Sequence, residues 1–161
     1  MKLILSILFF IPLFNGLEIS EIRKMYPTAS ASENSIKEFQ SKLSEVTLES
    51  NKTLIAYKGA AIAMMSKYLK KGTDKSKNFK EGVKWVEFAV TNQPNNIEIR
   101  LIRLSIQENT PKIVNYNKNI KEDKNFILEH YKEESGSLKE YIKNFVLHSK
   151  SFSEAEKQSF K

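Results

Sequence analysis

Apolar residues along this chain recur at intervals of three and four, and the strict alternation that marks a strand is nearly absent. From residue 18 to about 28, Ile19, Ile22 and Met25-Tyr26 share one side. Ser30-Ala-Ser-Glu33 has capping-box spacing, and Ile36, Phe39, Leu43 and Val46 then form one stripe. The spacing predicts a longer helix over 52–70 with Leu54, Tyr57, Ala61, Met64-Met65 and Tyr68 inward. Its second face is small, made of Ala56, Gly59, Ala60 and Ala63, so another helix can approach its backbone closely. Gly59 costs about 1 kcal/mol of helix propensity relative to alanine, and tight packing is its expected compensation.

Gly72-Thr-Asp-Lys-Ser-Lys77 reads as the clearest internal loop. A helix over 78–91 follows, with Phe79, Val83, Val86 and Val90 in one row and Trp85, Phe88 and Ala89 beside it. Asn95 or Asn96 is a good N-cap for a helix over 96–108, and Pro111 suits the start of a short turn. Further helices are predicted over 120–134 and around Leu138, Tyr141-Ile142 and Phe145-Val146. Ser151 or Ser153 then caps a last turn with Glu154 or Glu156. The expectation is all-α: about seven helices in antiparallel pairs, with no domain boundary.

The stretch from Phe79 to Asn96 resembles the second helix and terminal proline of a tetratricopeptide repeat, through Gly82, Val86, Ala89 and Pro94-Asn95-Asn96. Tyr57, Ala61 and Met64 would then belong to that repeat's first helix. The match covers about one and a half repeats, and Leu104 stands where the next repeat wants a small residue. What the resemblance implies is a tetratricopeptide-like helical bundle or short solenoid. Through Glu98-Ile-Arg100-Leu-Ile-Arg103-Leu-Ser-Ile-Gln107, the chain is also similar to small exported bacterial helical proteins with no assigned activity. That likeness implies a fold and a compartment but no chemistry.

The N-terminus changes the picture. Lys2 followed by an apolar run from Leu3 to Phe14, closed by Asn15-Gly16, has the form of an export signal. The run is too short for a membrane span, which needs about 20 apolar residues. The expectation is a signal peptide over residues 1–16, a single helical domain over 17–161, and a secreted or periplasmic protein with no transmembrane span in the mature chain. An uncleaved N-terminal anchor is the rival. Cysteine is absent, which excludes disulfides, thiolate metal sites and a cysteine nucleophile. The two histidines, His130 and His148, do not make a zinc site, and no metal or other cofactor is expected.

The formal charge of +7 suits anionic surfaces such as lipid headgroups or envelope polymers. The lysines are interleaved with glutamates, which speaks against a nucleic-acid footprint. A chain with 23 lysines holds only three arginines, Arg23, Arg100 and Arg103. The helix around the last two carries apolar rows on both flanks of a narrow polar stripe, Asn96, Arg100, Arg103 and Gln107. In a partly desolvated groove, a planar fork that binds carboxylates bidentately outperforms a lysine. The pair is either a structural network with carboxylates such as Glu81, Glu87, Glu98 or Asp123, or a clamp for an anionic ligand. Asp123, among lysines, reads as a surface residue or as a partner for one arginine. Arg23 has no such stripe and is expected to tolerate lysine.

No nucleophile elbow, phosphate loop or paired carboxylates are present. The expected function is therefore non-enzymatic: binding of a protein, peptide or anionic group through a helix groove, with Arg100, Arg103, Gln107, Tyr57 and Asn96 as candidate contacts. One alternative is a small periplasmic enzyme using Arg100 and Arg103 as an anion clamp, with Tyr57 or Glu98 as acid–base partner. The other is electrostatic adhesion to an anionic envelope polymer or lipid.

Overall fold

Four of the described α-helices start at side-chain caps that the sequence supplies. A computed structural model describes residues 17–161, and the expected export signal lies outside the described residues. Among the described residues there are eight α-helices and no strand. They are α1 (Ile19–Met25), α2 (Glu33–Lys42), α3 (Lys52–Met65), α4 (Gly72–Asn92), α5 (Ile97–Asn109), α6 (Ile120–His130), α7 (Gly136–His148) and α8 (Glu154–Gln158). The expected all-α class holds. Asn51, Asn96 and Ser153 each accept a backbone N–H of the first turn of α3, α5 and α8. Glu156 returns the bond at Ser153 to complete a capping box.

Four boundaries differ from the sequence reading, among them that of the 120–134 helix, which ends at His130 and tightens into a 3₁₀ turn, Tyr131–Glu133. The cap of α2 is Ser32 rather than Ser30, since its Oγ accepts from Ser35 N–H. The 52–70 helix ends at Met65 and tightens into a single 3₁₀ turn, Ser66–Tyr68. The expected loop 72–77 is instead the first two turns of α4, exposed throughout. A helix that has not yet reached its packing partner has no apolar side to reveal it. Once nucleated downstream, it extends because each added residue gains a backbone bond.

The tightest contact in the molecule joins α3 to α4. Contacts between Gly59 and Gly82, and between Lys52 and Phe88, show that the two helices run antiparallel. A Cβ placed on Gly82 would lie 2.4 Å from the Ala63 backbone nitrogen and 2.5 Å from the Gly59 carbonyl oxygen. One on Gly59 would lie 2.7 Å from the Gly82 carbonyl oxygen and 2.8 Å from Val86. The small-residue face of α3 therefore works as the sequence suggested, and Gly82 is its counterpart. Loss of helix propensity is offset by backbone packed on backbone.

Burial divides into two apolar clusters. The larger unites Ile22, Tyr26, Phe39, Ile55, Tyr57, Val86, Ile99 and Ile102, drawing on α1 to α5. The smaller unites Leu101, Leu104, Ile127, Ile142, Val146, Phe152 and Phe160, drawing on α5 to α7 and the C-terminal segment. Helix α5 serves both, because its two apolar rows point into different clusters. From Ile97 to Gln107, only Ser105 on α5 is more than buried-level exposed. No described helix is long and apolar enough to cross a membrane.

Candidate functional site

The polar stripe of α5 lies between the two apolar clusters and meets α6 running antiparallel. Arg103 takes Asp123 bidentately, donating Nε to Oδ2 at 2.7 Å and Nη2 to Oδ1 at 2.6 Å. Arg100 donates Nη1 to the same Oδ1 at 3.0 Å and also pairs with Glu122. Its Nε donates to the Pro94 carbonyl at 2.7 Å, and its guanidinium lies 5.0 Å from the Phe126 ring centroid. The remaining fork of Arg103 reaches Glu87 on α4 at 3.1 Å, and Glu87 accepts the Tyr116 hydroxyl at 2.6 Å. Asp123 is fully buried. Its expectation as a surface residue is corrected. Of the lysines around it, Lys118 and Lys121 are exposed and Lys124 is half-buried against Glu156, while Asp123 occupies the face toward α5.

The charges in this cluster sum against an anionic ligand. Two guanidinia face three carboxylates, Asp123, Glu122 and Glu87, so no positive charge is left over. The ionisation equilibria follow the same geometry. Burial pulls the Arg103 guanidinium down, and the hydrogen bond and charge of Asp123 more than reverse this, holding it above its ordinary value. The hydrogen bond from Arg100 holds the Glu122 carboxyl below its ordinary value. Burial, then the bond to Glu87, pushes the Tyr116 phenol up.

The other candidate residues are distributed along and around α5. Asn96 is occupied as the N-cap, with Oδ1 accepting from Ile99 N–H at 3.1 Å and Nδ2 donating to Thr53 Oγ1 at 3.3 Å. Gln107 is buried, and its Nε2 lies 3.5 Å from Asn119 Oδ1. Its Oε1 has no protein partner among the described residues. Tyr57 is fully buried on the opposite side of α5, where its hydroxyl donates to Glu98 Oε1 at 2.6 Å. Arg100 and Arg103 are thus brought together, while Tyr57 and Glu98 belong to a second polar cluster.

That second cluster was missed in the sequence. Arg23 grips Glu98 bidentately, Nε to Oε1 at 2.7 Å and Nη2 to Oε2 at 2.8 Å, and donates Nη1 to Ser137 Oγ at 3.1 Å. The grip raises the Arg23 guanidinium above its ordinary value. Glu98 is buried and Arg23 is its bidentate partner, a setting that argues against the expectation that Arg23 tolerates lysine. The signal was present: all three arginines of a lysine-rich chain bond carboxylates in buried or half-buried surroundings. Burial, with the charge of neighbouring tyrosines and Glu98, pushes the Tyr57 phenol far up and keeps it neutral.

Two open depressions are bounded by Gln93, Pro94, Asn95 and Asn96, and by Leu69, Asp74, Lys77, Asn78 and Glu81. Among the described residues, no group of three or more His, Asp or Glu side chains is placed to hold a metal ion. Compared with known proteins, the chain matches no family model, no curated protein and no solved structure.

Proposed function

We propose that this chain is an exported, non-enzymatic helical binding module whose arginines brace the frame while its outer surface meets the partner. The observation that carries this reading is the closure of the α5 stripe on Asp123: a fully buried carboxylate takes both guanidinia, and with Glu122 and Glu87 beside it the two positive charges are already matched. The enzymatic alternative needs Arg100 or Arg103 beside Tyr57 or Glu98, whereas Glu98 faces Arg23 and Tyr57. Adhesion to an anionic envelope lipid or polymer is the form of binding that the surface favours. The segment 110–121 carries Lys112, Lys118 and Lys121 and no carboxylate.

The test uses Arg23→Lys, Arg100→Lys and Arg103→Lys. Melting temperature is measured beside cosedimentation with the envelope fraction of the cells that make the protein. Each variant should melt lower, because lysine keeps the charge and loses the fork. Each should still cosediment like the parent at a temperature well below its own transition. Unchanged melting with lost cosedimentation at positions 100 and 103 would return those arginines to the binding surface and overturn the reading.

A further inference from the structure

Ile113 is 94 % exposed, the most solvent-facing large apolar side chain described, and Val114 beside it is 44 % exposed. They stand at the tip of the α5–α6 connection, in a single 3₁₀ turn, Lys112–Val114. The tip is held, not slack. Val114 N–H donates to the Pro111 carbonyl at 2.9 Å and Asn115 N–H to the Lys112 carbonyl at 3.0 Å. Asn115 turns the chain back with a φ of 54°, a left-handed conformation that asparagine tolerates better than most residues. Tyr116 then anchors the base, its ring 5.9 Å from Phe79 and its hydroxyl on Glu87. The fold builds a rigid post and places an isoleucine on its end.

Around the tip the charge is of one sign. Residues 110–121 contain three lysines and no aspartate or glutamate. None of Lys112, Lys118 and Lys121 forms an ion pair among the described residues. The carboxylates that flank this segment in sequence, Glu108 and Glu122, are engaged by Ser149 with Ser151 and by Arg100 respectively. The backbone of the tip also suits shallow immersion. Pro111 has no N–H, and those of Val114 and Asn115 are bonded inside the turn, so three of the five backbone positions from 111 to 115 present no free N–H.

Resting on the binding-module reading above, we infer that this tip is a membrane-surface anchor: Ile113 and Val114 enter the acyl boundary of an anionic bilayer while the three lysines meet its headgroups. A protein partner fits less well. A stable protein interface buries about 800 Å² per side around a broad, aromatic-rich centre. Here two aliphatic side chains crown a convex turn flanked by Asn115, Asn117 and Asn119. A deformable bilayer accepts a convex apolar point that a protein surface would need a matching pocket to receive. Lysine stems can lie along the interface with their amines in the headgroup layer.

The test is cosedimentation of the full chain with vesicles of phosphatidylcholine containing about one-third phosphatidylglycerol, against pure phosphatidylcholine. The parent should bind the anionic vesicles and lose binding steeply as salt rises. Ile113→Asp should weaken binding at least tenfold at an unchanged melting temperature, since the side chain touches nothing in the fold. Each of Lys112→Gln, Lys118→Gln and Lys121→Gln should weaken it about fivefold. Equal binding by the parent and Ile113→Asp, or equal binding to both vesicle types, would overturn the anchor. If vesicle binding fails while cosedimentation with the envelope fraction persists, the tip falls and the binding module stands with a protein or polymer partner. If both fail, both readings fall.

Discussion

Helices α3 and α4 are joined by shape, and α5 and α6 by charge. At the first junction, two glycines let backbones meet, and the atoms nearest each glycine are backbone atoms and small apolar side-chain atoms. At the second, Asp123 sits inside a fork of two arginines, itself enclosed by apolar layers. The two solutions fail differently. A shape contact tolerates no added atom. A charge contact tolerates no missing one, since removing a single partner strands the others out of water.

The most damaging change should therefore be Asp123→Ala, which leaves Arg100 and Arg103 buried with only Glu122 and Glu87 at the rim. A loss of about 3–5 kcal/mol is expected in denaturant unfolding, and a loss below about 1 kcal/mol would show that water reaches the arginines. Next comes Gly82→Ala. Its new Cβ meets backbone atoms of α3 at 2.4 and 2.5 Å, so the helices must separate. About 3 kcal/mol is expected to be lost, although alanine is the better helix former, and a gain in stability would refute the close approach.

A smaller effect sharpens the contrast through alkali. The Tyr116 phenol is raised in the fold, so above the ordinary tyrosine value of about 10 the unfolded chain releases a proton that the folded chain keeps. Its stabilising contribution is complete below that pH and declines above it by about 1.4 kcal/mol per pH unit. Buried Tyr26 and Tyr57 and half-buried Tyr141 are raised too and add to the slope. Tyr116→Phe should make the alkaline slope shallower by one tyrosine's share in urea unfolding followed from pH 9 to 11. Gly82→Ala should leave that slope unchanged, because its junction has nothing to titrate.

The same contrast explains what was legible in the sequence. A small-residue face appears within one helix, because Ala56, Gly59, Ala60 and Ala63 lie one turn apart, and the junction could be anticipated from α3 alone. A buried ion pair has its halves in different helices: Asp123 is twenty residues from Arg103, and Glu98 seventy-five from Arg23. The arginines showed through their rarity, but nothing local distinguishes Asp123 from a solvated aspartate among lysines. The first turns of α4 were invisible for the opposite reason, since residues 72–77 face water on every side. The apolar tip at Ile113 carried no periodic signal and passed as an ordinary turn.

Helix α5 has one further consequence, for the way the molecule opens. Its Ile99, Ile102 and Ile106 belong to one apolar cluster, its Ile97, Leu101 and Leu104 to the other, and its arginines to the seam between them. No partial fraying can free it, because releasing α1 and α2 leaves it covered by α6 and α7, and releasing α6 to α8 leaves it covered by α3 and α4. Its amide protons should outlast all others in deuterated water, exchanging only when the whole chain unfolds. The two clusters are therefore bound into one cooperative unit by a single rod that neither can surrender alone.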